Sequence, residues 1–118
     1  MWAWPTSKTA KIFSVSELNQ QTKQLLEQNI PLLWVRGEIS NLKCYQSGHW
    51  YFTLKDRDAQ VRCAMFRQRN AAVRFTPAEG KLVLARARVG LLPGLVLTVR
   101  NATEIVLKPV GAIGEGSQ

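Results

Sequence analysis

Between His49 and Lys55 every second residue is large and apolar, with Trp50, Phe52 and Leu54 alternating with His49, Tyr51, Thr53 and Lys55. Only an extended chain, whose successive side chains point to opposite faces, puts the first set together on one side. The segment therefore reads as a strand with Trp50, Phe52 and Leu54 in a core. The same period recurs on either side of it. Gln60 to Arg67 places Val61, Cys63 and Met65 inward and Arg62 and Ala64 outward, and Asp56-Arg57-Asp58 supplies the turn chemistry that joins the two strands as a hairpin. Upstream, Leu33, Val35 and Ile39 suggest the buried face of a first strand. Gly37 interrupts its alternation, as a bulge or sharp bend does where one strand curls through two sides of a small barrel. Lys81 to Val89 alternates Val83, Ala85, Ala87 and Val89 with Leu82, Leu84, Arg86 and Arg88, and its small alanines suit a crowded interior. A last strand runs from Leu95 to about Ile105.

The segments between and before these strands are of other kinds. Ser14-Val15-Ser16-Glu17 is a capping box, and Val15, Leu18, Thr22, Leu25 and Leu26 then share one face at helical spacing until Asn29 and Pro31 stop the helix, which spans about residues 15–28. Asn41 to Gly48 reads as a polar loop containing Lys43, Tyr45 and Gln46. Asn70 to Phe75 forms a short helix, ended by Thr76-Pro77 and followed by a Glu79-Gly80 turn. Leu91-Leu92-Pro93-Gly94 turns the chain between the last two strands. Residues 1–11 are expected as a flexible lead-in, pinned on the domain by Trp2 or Trp4, and residues 109–118 as a Gly-rich linker-like tail, leaving one domain over 12–108 with its barrel over about 32–107. The expectation is a mainly β chain: a five-stranded Greek-key OB-fold barrel with an N-terminal α-helix and a short helix between strands 3 and 4. A five-stranded SH3-like barrel accommodates the same strand count.

Charge narrows the partner. The 118 residues carry 16 Lys and Arg against 8 Asp and Glu, a net charge of +8, which favours a polyanion or an anionic membrane surface. Its distribution says more than its total. From Arg57 to Arg100 there are nine basic residues against two acidic ones, Asp58 and Glu79, so nearly all of the excess lies in that span. Arginine dominates there, which suits contacts to phosphate and stacking on bases. No apolar run approaches the roughly 20 residues of a membrane span, and Met1-Trp2-Ala3-Trp4-Pro5 is too short for a signal-peptide core, so the cytoplasm is the expected compartment. Cys44 and Cys63 lack CxxC spacing and His49 is the single histidine, too few ligands for a structural zinc, so no metal or cofactor is expected and both cysteines are read as reduced thiols, Cys63 buried. Asp56 and Asp58 read as turn formers rather than a carboxylate pair, Ser40, Ser47 and His49 lack an orienting acid, and no Gly-rich phosphate loop is present. No catalytic residue is therefore named.

Four segments carry a family resemblance: Ser14-Val15-Ser16-Glu17-Leu18-Asn19, Leu33-Trp34-Val35-Arg36-Gly37-Glu38-Ile39-Ser40-Asn41, Ser47-Gly48-His49-Trp50-Tyr51-Phe52-Thr53-Leu54-Lys55-Asp56 and Arg62-Cys63-Ala64-Met65-Phe66-Arg67. Together they cover most of positions 12 to 89, and the chain there resembles the N-terminal domain of the exodeoxyribonuclease VII large subunit. The resemblance implies an OB-fold that helps a bacterial nuclease hold single-stranded DNA, with the other domains of the large subunit and several copies of a small helical subunit as partners. The family continues into a catalytic domain and a long helical region, so the resemblance implies that the nuclease residues lie outside these 118. Where the family has a longer polar and aromatic excursion between its last two strands, this chain has the compact stretch ending in Pro93-Gly94.

An open OB barrel presents the outer face of its second and third strands, rimmed by the loop after strand one and the loop between strands four and five. On that face Tyr51 and His49 offer rings for base stacking, Lys55, Arg62, Arg67 and Arg69 follow phosphates, and Lys43 and Tyr45 close over the strand from the first loop. Arg86 and Arg88 are further candidates, unless they lie on the back of the barrel. Tyr51 equally suits covering a barrel edge and His49 a strand-start hydrogen bond, while Phe66 reads as a barrel-capping core residue unless a bulge after Met65 turns it out. Two other functions fit the same residues: a docking module, suggested by the apolar helix face and Trp34, and an RNA-binding OB domain.

Overall fold

A computed structural model describes residues 11–91 and 94–106. The lead-in with Trp2 and Trp4, the turn residues Leu92 and Pro93, and the linker-like tail lie outside the described residues.

Helix α1 (Val15–Asn29) starts on the expected capping box, with the Glu17 amide donating to Ser14 Oγ at 3.0 Å and the Ser14 amide donating to Glu17 Oε1 at 2.9 Å. The Ser14 backbone N–H and, with it, the Ser14 hydroxyl hold the Glu17 carboxyl below the usual carboxylate range. At the other end the Asn29 side chain donates to the Leu25 carbonyl and Pro31 ends the run. The expected apolar face is covered only in part. α1 packs mainly against β4 (Leu82–Leu91), through a narrow stripe: Thr22 and Leu26 are half-buried, with Ile30 just beyond, while Val15, Leu18 and Leu25 stay exposed.

The barrel strands are β1 (Leu33–Cys44), β2 (Trp50–Lys55), β3 (Gln60–Met65), β4 and β5 (Leu95–Glu104), closed in the order β1-β2-β3-β5-β4 with β3 and β5 parallel and the other pairs antiparallel. This is the five-stranded OB arrangement anticipated from the alternation. β1 serves two neighbours: Leu33 to Glu38 pair with β4, and Glu38 to Cys44 with β2. Gly37 sits at the handover, where an added Cβ would lie 3.2 Å from Leu54 Cβ and 3.3 Å from the Lys55 carbonyl oxygen, close enough that a side chain there would push its neighbours by a few tenths of an ångström. The bulge falls later, between Ser40 and Lys43, with Asn41 at φ 52°. Its freed amides find an acceptor in the segment leading into the neighbouring strand β4, since the Glu79 carboxylate accepts from the backbone N–H of Asn41 at 3.1 Å and of Leu42 at 2.6 Å. Because the bulge lets pairing resume, the loop expected over 41–48 shrinks and Lys43 belongs to β1.

The short helix also differs in place. It is α2 (Arg67–Asn70), not the Asn70 to Phe75 expected from sequence. β3 stops at Met65, Phe66 takes the N-cap position, and the Asn70 side chain ends the turn by donating to the carbonyls of Gly48 at 2.7 Å and Met65 at 3.1 Å. Val73 and Phe75 follow without helical structure and pack against the core.

The core is built from the alternating sets. Ile39, Phe52, Leu54, Cys63, Met65, Val83, Ala85, Ala87, Leu97 and Val99 are buried together, and Trp50, Val61 and Val89 are half-buried around them. Each fully buried aliphatic side chain of this kind contributes roughly 1.5–3 kcal/mol. Ala64, expected outward, has outward register yet is buried, for a reason that the outer face makes plain below.

The two thiols are free and differ in setting. Burial pushes the Cys63 thiol up to about 12; the thiol of Cys44, exposed at the end of β1, is also raised by desolvation. Iodoacetamide at pH 8.5 is expected to add one label to the folded chain, at Cys44, and the second only after unfolding in urea; mass spectrometry distinguishes the two, and rapid double labelling of the folded chain would contradict the burial of Cys63.

Candidate nucleic-acid interface

Register brings the outward residues into transverse rows. Lys43 pairs with Tyr51, Tyr51 with Ala64, Ala64 with Thr98 and Thr98 with Arg88, a row through all five strands. Directly paired residues point the same way, so these side chains form a continuous band on the outer surface. The adjacent row runs Ser40, Thr53, Arg62, Val96 and Gly90. Ala64 and Thr98 at the middle of the first row, with Thr53 and Gly90 in the second, leave a groove of about 760 Å³, lined by Lys43, Tyr45, Tyr51, Thr53, Arg62, Ala64, Phe66 and Thr98 among others. Ala64 is buried because it is the groove floor, overtopped by its larger neighbours.

Aromatic rings form one side. Tyr45 and Tyr51 meet edge to face at 5.5 Å between centroids, Tyr51 and Phe66 at 6.5 Å, and Phe66 and His49 at 5.3 Å. Tyr45, Tyr51 and Phe66 remain 51%, 40% and 37% exposed, so each keeps ring surface available to a ligand. The Phe66 exposure overturns its expected place as a core cap. With β3 ending at Met65, the chain turns into α2 and the ring stays on the outer surface. Lys43 and Arg62, both exposed, flank the rings without an ion pair among the described residues.

Of the residues singled out from sequence, the groove brings together Lys43, Tyr45, Tyr51 and Arg62. His49 borders it as a support: its Nδ1 accepts from the Arg67 amide at 3.1 Å, and its ring stands perpendicular to that of Phe66. Arg67 and Arg69 are exposed on α2, outside the groove lining. Lys55 pairs with Glu38 at 3.6 Å and borders a separate depression with Arg36 and Arg57. Arg86 lies over the Trp34 ring at 5.3 Å on the outer face of β1 and β4, away from the groove, and Arg88 ends the first transverse row at its margin. Asp56 is a turn former as expected; its Oδ1 accepts from the amides of Asp58 and Ala59, which holds its carboxyl below the usual range. Sequence reasoning missed Phe66, Thr53, Thr98 and Lys23 of α1 as groove residues. Thr53 was legible as an outward residue beside Tyr51, but Lys23 carries no local signal.

No group of three or more His, Cys, Asp or Glu that would hold a metal ion occurs among the described residues, and no helix there is long and apolar enough to cross a membrane. A family model described as an OB-fold nucleic acid binding domain matches residues 13–95. The exodeoxyribonuclease 7 large subunit of Hahella chejuensis is 49% identical over 104 residues, which is 88% of this chain and 22% of that protein. The corresponding subunit of Cronobacter sakazakii is 47% identical over 112 residues, 95% of this chain and 23% of the relative. The chain thus spans less than a quarter of the length of these relatives. Among solved structures, the second OB-fold domain of replication protein A from Methanococcus maripaludis superposes with a TM-score of 0.50 at 16% identity, covering 82% of this chain and 97% of that one. At that identity the likeness speaks for the fold alone. Barrel closure, matched residues and near-half identity converge: the chain belongs to the OB-fold nucleic acid binding domain family, and within it is similar to the large subunit of exodeoxyribonuclease VII.

Proposed function

We propose that this chain binds single-stranded DNA along the groove and holds it for hydrolysis by parts of a larger exonuclease outside these residues. The observation that carries the reading is the line of partly exposed rings, Tyr45, Tyr51 and Phe66, set beside Lys43 and Arg62 over a floor of small side chains. Bases of a single strand expose their faces to such rings while the phosphates meet the cations; in a duplex those faces are already stacked. The exonuclease context rests on the near-half identity to exodeoxyribonuclease 7 large subunits.

Anisotropy titration of a labelled oligonucleotide tests it. Affinity is expected to fall linearly in log–log form with salt, with a slope of about 0.7 per phosphate contacted. Absence of salt-dependent binding at low ionic strength would sink the proposal. The same mixture left for hours should contain uncut strands, and an RNA of matching sequence should compete less well than DNA. A second reading, docking of other domains of the large subunit or of small subunits, draws on the exposed Val15, Leu18, Leu25 and Trp34. It gains if Tyr51→Ala combined with Arg62→Ala leaves DNA affinity intact.

A further inference from the structure

Two residues on the β4 side of the groove are unused by the stacking surface. Gly90 ends the second transverse row, paired with Val96, and lines the groove. An added Cβ there would meet Val96 Cγ1 at 3.7 Å and the Val96 carbonyl oxygen at 3.8 Å, ordinary contacts, so packing does not demand a glycine. What the missing side chain leaves is clearance over Val96. Lys23 belongs to α1, outside the barrel, yet lines the same groove. Its place is set by the packing of α1 on β4 through the half-buried stripe that includes its neighbour Thr22, and it makes no ion pair among the described residues.

We propose that the bound strand leaves the aromatic side across β5 and β4, passing over Gly90, and that Lys23 takes a phosphate there, making α1 one wall of the interface. This rests on the groove being a single-strand site. From β2 to β4 the path crosses three strand spacings, about 14 Å, and a strand whose first three bases sit on Tyr45, Tyr51 and Phe66 reaches the β4 side only with the nucleotides that follow. A trinucleotide on the rings therefore stops short of Lys23, and a dodecamer reaches it.

The test compares oligothymidylates of those two lengths, read by NMR titration for the trinucleotide and anisotropy for the dodecamer, on Lys23→Gln, Gly90→Leu and Tyr51→Ala. Lys23→Gln is expected to weaken dodecamer binding several-fold and lower its salt slope by about 0.7, with trinucleotide binding unchanged. Gly90→Leu should likewise weaken only the dodecamer, while Tyr51→Ala weakens both. Dodecamer binding and salt slope unaffected by Lys23→Gln overturn the exit path, as does equal weakening of both lengths. Neither result touches the groove reading, which fails instead if Tyr51→Ala changes nothing. Should Gly90→Leu fail to fold, Lys23→Gln on the exposed helix surface decides alone.

Discussion

Replacing Tyr51 and Phe66 together by alanine is expected to weaken single-strand binding by about 30-fold or more at fixed salt, with little change in the unfolding midpoint. Each base–ring stack contributes about 1–3 kcal/mol, so losing two removes at least about 2 kcal/mol of binding free energy. Both rings are more than a third exposed, and truncating them opens no core cavity. Because they lie edge to face at 6.5 Å, one ring braces the other, and the single variants are not expected to sum to the double. The salt slope separates this effect from a general loss of attraction. The double variant should keep the wild-type slope, since no phosphate contact is removed, whereas Arg62→Ala should reduce it. An unchanged affinity in the double variant would eliminate these rings as the stacking surface.

The barrel was legible because alternation is a local property. Val83, Ala85 and Ala87 lie in the core where their period puts them, and the Ser14-Glu17 box opens α1 as its spacing requires. Long-range partners decided what was not legible. The first loop is shorter than its polar composition suggests because Glu79, 38 residues after Asn41, accepts the amides that a bulge strands. The second helix begins early because the Asn70 side chain reaches back to Gly48 and Met65. The candidate site shows the same limit more sharply. Alternation tells that Arg62, Arg86 and Arg88 point outward, but a closed barrel has outer surface all round, and only closure sets Arg62 in the groove and Arg86 over Trp34. Lys23 reaches the groove through helix packing, which no periodicity within α1 encodes.

Met65 and Phe66 are consecutive, and their alanine variants are expected to fail in opposite ways. Met65 is 0% exposed, closes β3 opposite Trp50 and packs at the heart of the core. Met65→Ala removes buried methylene and sulfur contacts and leaves a cavity, which costs about 2–5 kcal/mol. Against a total stability of about 5–15 kcal/mol this is a large fraction, and at about 4–8 °C per kcal/mol for a domain this small the midpoint should fall by about 10 °C or more. The folded fraction should still bind at wild-type affinity, because Met65 does not line the groove. Phe66→Ala is expected to lose about 1–3 kcal/mol of binding and almost no stability. Circular dichroism melts with titrations well below the lower midpoint measure both quantities on both variants. A Met65→Ala chain that melts normally but binds poorly would show that the inner and outer faces of β3 are not divided where the strand ends; the physical cause of the division is strand alternation, which the extended backbone of Phe66 keeps before the turn into α2, sending one side chain inward and the next to the groove.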